Sequence, residues 1–404
     1  MDKNLLLFFS LVICLLSGSR IYAQSNIVQL SDLSKVSVLT NSASPRYVYS
    51  MFGHTVLRVQ DPINRIDLSF NYGVFDFDSP NFMWRFVTGA TDYMVVGYNS
   101  RFAIEEYRER GVEIKEQVLN LTLKEKQNVW NALVVNSLPE NRIYRYNFLY
   151  DNCATRPRDI VEANIEGQIR YTATNKEQTY RNLIHDCVAQ KPWLRFGIDL
   201  VIGADADKII SDRQKDFLPS YLYQAINGAE VIEGDSVRAL VIESNTLSSP
   251  STLVKEDNLP IDYPLIVGII SLILVLLFSY WAYKYDHNIL VKLFDTILFV
   301  FAGILGSIIY FLMFHSTHPC VDNNWNLVWL NPIMLIAGLL FFVKPLAKCI
   351  YYYHFINFVA LTTLLLAWVL IPQYMELAFI PYVVILLVRS VMNVITQRKV
   401  VGVK

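Results

Sequence analysis

Apolar residues are spread very unevenly along this 404-residue chain. A short apolar run from Leu5 to Leu16 follows Lys3 and precedes small and polar residues ending at Ala23. That layout predicts a secretory signal over residues 1–24, with an uncleaved anchor as the alternative. Residues 25–235 mix apolar and polar positions and predict one soluble domain of ordinary size. Residues 236–263 have a Ser-rich middle and read as a linker. Residues 264–404 are dominated by apolar positions. Five stretches there approach the ~20 residues that cross a bilayer: 264–283, 293–314, 327–343, 350–371 and 377–396. Lys284 and Lys292 flank the first turn between spans, Lys344 and Lys348 the second, and Arg398, Lys399 and Lys404 lie in the tail. Loops 315–326 and 372–376 carry no Lys or Arg. The positive-inside rule makes the first set cytoplasmic and puts the soluble domain outside the cytoplasmic membrane, as the signal also requires. The expected arrangement is therefore a chain anchored in the cytoplasmic membrane with its soluble domain on the outer side.

Within the soluble domain the period is shorter. Tyr47 to Val59 and Ile66 to Phe75 read as two strands of a hairpin, broken by the turn Gln60 to Asn64. Thr122 and Glu125 form a capping box that opens a helix to about Ser137, where Pro139 stops it. Tyr144 to Tyr150 is strand-like and gives way to a helical pattern, with Asn152 as N-cap and Cys153 in the first turn. Residues 176–190 and 211–227 read as helices, the second interrupted by Pro219. Aromatics crowd residues 76–107. They serve either as sheet and core packing or as an apolar groove for an acyl chain.

Composition narrows the chemistry. Net charge is −1, and no basic cluster, Gly-rich phosphate loop or CxxC pair is present, so nucleic-acid partners are not expected. Cys153 is the outstanding reactive group. The helix dipole and the nearby Arg156 and Arg158 favour its thiolate, the nucleophilic form. A Cys153–Cys187 disulfide is the plainer alternative in an exported domain. A thiol nucleophile needs a base, and His54 in SMFGHTVLRV fits best. His185 is the rival, but it lies mid-helix beside Cys187. The base needs an orienting partner on the adjacent strand, and Asn71 or Asp67 fits that place. Ser50 and Arg58 flank His54 on one strand face, where they either contact polar groups of the substrate or face solvent. With Tyr72, Asn152 and Arg156 they are the expected substrate contacts. His315, His318, Cys320 and Asp322 sit in one periplasmic loop, but Pro319 and the spacing do not match a zinc site, so no metal or cofactor is expected. Trp325 and Trp329 suit a bilayer interface. Asp295 and Glu376 read as span-end charges, which argues against an ion-coupled transporter.

The order of a His on a strand, a second strand, then a Cys at a helix start resembles the circularly permuted papain-like fold of the lecithin:retinol acyltransferase type. More closely, GHTVLRV, FNYGVFDF, DNCATRPRDI and HPCVDNNWNLVWLNP resemble the Bacteroidota lipoprotein N-acyltransferase family (Lnb) over nearly the whole chain. The segment after the cysteine, ATRP, departs from the Glu-His of the retinoid enzymes. The resemblance implies an α+β periplasmic domain followed by an all-α five-helix membrane bundle. It implies His54 and Cys153 as the catalytic pair and leaves the third member open. Cys153 would take an acyl chain from a membrane phospholipid as a thioester. The chain would pass to the α-amino group of the lipidated N-terminal cysteine of a diacylated lipoprotein. Two other readings stand beside it. One is a membrane-anchored cysteine hydrolase, either a phospholipase or a peptidoglycan or peptide amidase. The other is a non-enzymatic scaffold with Cys153 in a disulfide.

Overall fold

A computed structural model describes residues 27–44, 47–174, 176–249, 260–285 and 288–401. The signal read over residues 1–24, the centre of the Ser-rich segment and the last three residues lie outside these. The described strands are β1 Lys35–Asn41, β2 His54–Asp61, β3 Ile66–Val74, β4 Asp92–Asn99, β5 Ile114–Leu119, β6 Ile143–Arg145, β7 Gln168–Arg170, β8 Glu230–Glu233, β9 Ser236–Ala239 and β10 Val241–Ser248. Seven form one antiparallel sheet in the order β10-β5-β1-β2-β3-β4-β6, and β7, β8 and β9 form a small second sheet. The helices of this domain are α1 Phe82–Val87, α2 Ser100–Glu109, α3 Leu123–Ser137, α4 Thr155–Ala163, α5 Tyr180–Val188, α6 Pro192–Val201, α7 Asp212–Lys215 and α8 Pro219–Asn227.

Strand side chains alternate between faces, so each face of the main sheet collects its own set. Val36, Val38, Leu57, Val59, Phe70 and Tyr72 are buried with Trp130 and Leu133 of α3, Val161 of α4 and Leu222 of α8. Leu39, Val56 and Ile114 pack on the opposite face under Ile104 and Tyr107 of α2. Each such burial is worth ~1.5–3 kcal/mol, so a one-residue slip of β2 would be prohibitive. The fold is α+β.

Several local expectations change. Val48–Phe52 is a 3-10 turn and the strand begins only at His54, because Gly53 takes φ 76, a left-handed backbone that ends the turn. The 144–150 strand shrinks to Ile143–Arg145. Asn147 and Asp151 then close a loop by pairing their main chains. The helix read at 211–227 divides into α7 and α8, with Pro219 opening the second where its missing N–H costs nothing. The segment read as a linker supplies β9 and β10, and β10 is the edge strand of the main sheet beside β5. The soluble domain therefore runs through Ser248 rather than stopping at residue 235.

The membrane region comprises α9 Tyr263–Tyr285, α10 Asn288–His315, α11 Ile333–Leu340, α12 Ala347–Leu366 and α13 Phe379–Val401. Among the described residues four helices are long and apolar enough to cross a membrane. The span expected at 327–343 is instead a 3-10 turn, Trp325–Val328, followed by the eight-residue α11. It lies directly on α10. A Cβ on Gly303 would stand 2.1 Å from Leu335 N, and one on Gly306 2.5 Å from Asn331 N, so only glycine permits this approach. Asp295 is not a span-end charge. Within the bundle Arg389 Nε and Nη2 donate to its carboxylate at 2.7 and 2.9 Å, and Asn393 Nδ2 donates to it at 2.7 Å. Charges at membrane depth persist when paired inside a bundle in this way.

The two regions are bolted together through α6 and the loops lacking Lys and Arg. Phe196 of α6 packs edge-on against Phe379 at 4.9 Å. Asn324 Nδ2 and Asn326 Nδ2 donate to Leu200 O and Asp199 O, both at 2.9 Å. Buried Arg181 of α5 joins Asp199 and Asp207, and Asp207 Oδ2 accepts Tyr374 N–H at 3.0 Å. These loops lie on the soluble domain's side of the bundle, where the charge asymmetry puts them.

Candidate active site

β2 and β3 pair only from Leu57↔Phe70 to Asp61↔Ile66, then diverge. Extending the register by three places would set Gly73 opposite His54. Asn71 and His54 thus share the face that α2 covers, as diagonal neighbours. Cys153 enters this fork. Gly73, at φ 99, has no Cβ; one built there would lie 3.6 Å from the Cys153 Cβ.

The turn that carries Cys153 is held by Asn152 and Thr155. Asn152 Oδ1 accepts the N–H groups of Ala154 and Thr155 at 2.8 and 3.0 Å, and Thr155 Oγ1 accepts Asn152 N–H at 2.8 Å. Asn152 Nδ2 donates to Phe148 O and Phe217 O. The helix itself starts at Thr155 with Ala154 in the N-cap place, so Asn152 ties down the turn ahead of α4 and Cys153 lies in that turn rather than in the helix's first turn. Asn152 also borders the cavity, but all of its polar atoms are committed to the chain.

His54 Nε2 lies 2.7 Å from Asn71 Oδ1. An amide oxygen only accepts, so Nε2 carries the proton. The nitrogen left for the Cys153 thiol is Nδ1. Burial pushes the Cys153 thiol up, but the His54 charge, a hydrogen bond from His54 and the backbone N–H groups of Thr55 and Cys153 bring it below its ordinary value. Burial likewise works against the His54 cation, and the negative sulphur, its hydrogen bond and Asn71 outweigh it, raising His54. Both shifts run in the direction of a thiolate beside an imidazolium. The Thr55 N–H, freed by the parting of β2 from β3, was not anticipated from the sequence. Its only signal there was its place next to His54.

A cavity of about 500 Å³ opens on these groups, within the usual range for small-ligand sites. Its walls include Phe52, Phe75, Tyr93, Tyr98, Phe102, Tyr107, Tyr146 and Phe148, and exposed Glu106 and Arg110 stand at its edge. Ser50 also lines it, although its hydroxyl sits 2.8 Å from both Ser44 O and Tyr47 O and so stabilises the 3-10 turn. Three expected substrate contacts fall elsewhere. Arg58 is buried on Asp67 and Glu116, which also removes Asp67 from the orienting role. Tyr72 points to the opposite face of the sheet, in the core, and its hydroxyl accepts from Asn136 Nδ2 at 3.0 Å. Arg156 pairs with Asp151 and lies 3.8 Å over the Tyr144 ring. Cys153, Cys187 and Cys320 are all unbridged, so the Cys153–Cys187 disulfide does not form. His185 donates to buried Asp199 and belongs to the interdomain cluster. Among the described residues no three His, Cys, Asp or Glu groups gather as a metal site requires.

A cysteine beside a histidine that an amide steadies, on an α+β domain fixed to membrane helices, defines a membrane-seated protein with a histidine-paired thiol. Residues 23–186 match the Lnb N-terminal periplasmic domain and residues 255–400 match the Lnb transmembrane domain, so the chain belongs to the Lnb family. It is a membrane protein with a periplasmic domain and a lipoprotein N-acyltransferase-type function, acting on lipid and lipoprotein substrates. No curated protein and no solved structure matches it significantly.

Proposed function

We propose that this protein N-acylates diacylated lipoproteins at the outer face of the bacterial inner membrane, with Cys153 as nucleophile, His54 as base and acid, and Asn71 as the group that orients His54. The Cys153–His54–Asn71 line opening onto an aromatic, acyl-sized cavity is the observation that carries the reading. The Cys153 thiolate attacks the ester carbonyl of a phospholipid. The C–O bond breaks, the lysolipid alkoxide takes the proton held on His54, and a thioester remains. The acceptor's neutral α-amine then attacks the thioester carbonyl. Its proton passes to His54 as the C–S bond breaks, which restores the thiolate–imidazolium pair. The Cys153 and Thr55 N–H groups, already directed at the sulphur, supply the hydrogen bonds that a tetrahedral oxyanion needs. The apolar walls keep water from the thioester. The test is incubation of the full-length protein in phosphatidylethanolamine nanodiscs with a diacylated lipopeptide, followed by mass spectrometry. One added acyl group on the lipopeptide amine, absent with Cys153→Ala, is the expected result. Lysolipid and free fatty acid with an unchanged lipopeptide would mean a hydrolase and overturn the proposal.

A further inference from the structure

A largely apolar surface lies beside the cavity, on α1 and on Phe77 of the turn before it, where the exposed Asp76 and Asp78 flank that ring. Met83, Trp84, Phe86 and Val87 are exposed there, as is Phe77, with Phe77 and Met83 at 69% each. A contiguous patch of this kind on a soluble surface marks a contact site.

Two observations identify what covers it. The patch is continuous with the periplasmic end of a membrane helix. The Trp84 ring lies 5.6 Å from Phe311 in the last turns of α10. Just past that helix, Thr317 N–H donates to Thr88 O at 2.9 Å and His318 Nε2 donates to Phe86 O at 2.9 Å. α1 therefore sits where the chain leaves the bilayer, the level at which Trp and other rings concentrate. The patch is also joined to the cavity by touching rings. Phe86 meets Phe82 at 6.2 Å, Phe82 meets Phe75 at 6.2 Å, and Phe75 meets Tyr93 in the cavity wall at 5.3 Å. The one charge on α1 does not interrupt this path, because Arg85 turns away to Asp92.

We infer that α1 and its preceding turn form a lip seated in the outer leaflet, along which an acyl chain of a donor phospholipid passes from the bilayer into the cavity. The inference rests on the acyl-transfer reading above. The chain then moves from lipid to protein without crossing water, and its ester carbonyl arrives at Cys153. A phospholipid chain, rather than a soluble protein, is the occupant because the patch abuts the end of α10.

The test uses the full-length protein in nanodiscs of phosphatidylethanolamine and phosphatidylglycerol, doped with a phospholipid that bears a diazirine on one acyl chain. After irradiation, adducts are mapped by peptide mass spectrometry. Adducts on residues 75–87 as well as on the membrane helices are expected; adducts confined to the helices would overturn the inference. In parallel, Trp84→Glu/Phe86→Glu is expected to lose the adducts at 75–87 and to slow acyl loading of Cys153 about tenfold, as charges are driven from lipid. Trp84→Phe, which keeps an apolar ring, retains the adducts. Iodoacetamide alkylation of Cys153 checks that the site is still formed. Full-rate loading in the doubly charged variant would also overturn the lip. If the acyl-transfer reading itself fails, no variant loads at all, yet the adduct map still decides whether the lip meets lipid.

Discussion

Replacing His54 by glutamine separates the electrostatic core of the site from its shape. After opposing burial, the largest influences holding the Cys153 thiol down are the His54 charge and the His54 hydrogen bond. Without them burial pushes the other way, and the thiol returns to its ordinary range or above. An ordinary thiol of pKa about 8.5 is roughly 3% ionised at pH 7, so the thiolate fraction falls by at most about 30-fold, or ~2 kcal/mol. A more basic thiolate is intrinsically more nucleophilic, with a Brønsted slope of about 0.5, which offsets part of the loss. With the variant thiol at its ordinary value the net expectation is about 2- to 3-fold slower alkylation at pH 7, and more where burial carries the thiol higher. The assay is the second-order rate of iodoacetamide labelling at Cys153 in the full-length protein, followed by peptide mapping across pH. The signs are opposite for the two groups. The depressed thiol is a thiolate above its folded pKa and is lost as pH falls through it. The raised imidazole is charged below its folded pKa and is lost as pH rises through it. Wild type should therefore hold its rate through neutral pH, whereas the variant should climb steadily into the alkaline range. Labelling of the variant at the wild-type rate at pH 7 would refute the pairing.

Three further outcomes follow from the same geometry. Asn71→Ala removes the acceptor 2.7 Å from His54 Nε2, and kcat for acyl transfer should fall about 10- to 100-fold with the thermal midpoint little changed. Arg156→Ala should leave KM for the lipid within about twofold and cost about 1–2 kcal/mol in thermal unfolding, since this guanidinium faces Asp151 and Tyr144 rather than the cavity. Arg181→Leu strands Asp199 and Asp207 without their cation and should cost about 3–5 kcal/mol, read by unfolding in detergent.

The sequence spoke most clearly where chemistry is written in short strings. His54, Asn71 and Cys153 each lie in a compact motif, and strand parity makes His54 and Asn71 diagonal neighbours. The same parity sends Tyr72 to the other face, so alternation excludes it from a site shared with Asn71. Arg58 has the right parity but sits too far along β2, where Asp67 and Glu116 claim it. Such long-range pairing leaves no local mark. Neither does the docking of α6: Pro192 announces a helix start, but nothing in its sequence tells that Phe196 meets Phe379. Arg389 was hidden because one charge barely lowers the mean of a twenty-residue apolar run, and its partner Asp295 lies 94 positions away. β10 was obscured by the serines around it, since an edge strand buries few side chains and its ladder is made by the backbone.

The central claim is that Cys153 carries the acyl chain, and the most direct measurement is the intact mass of the full-length protein after incubation with phospholipid nanodiscs. The account predicts an added mass of one fatty acyl group on wild type, released by hydroxylamine and absent from Cys153→Ala. Acyl transfer to a lipopeptide by Cys153→Ala, or a hydroxylamine-resistant adduct on another residue, would contradict it.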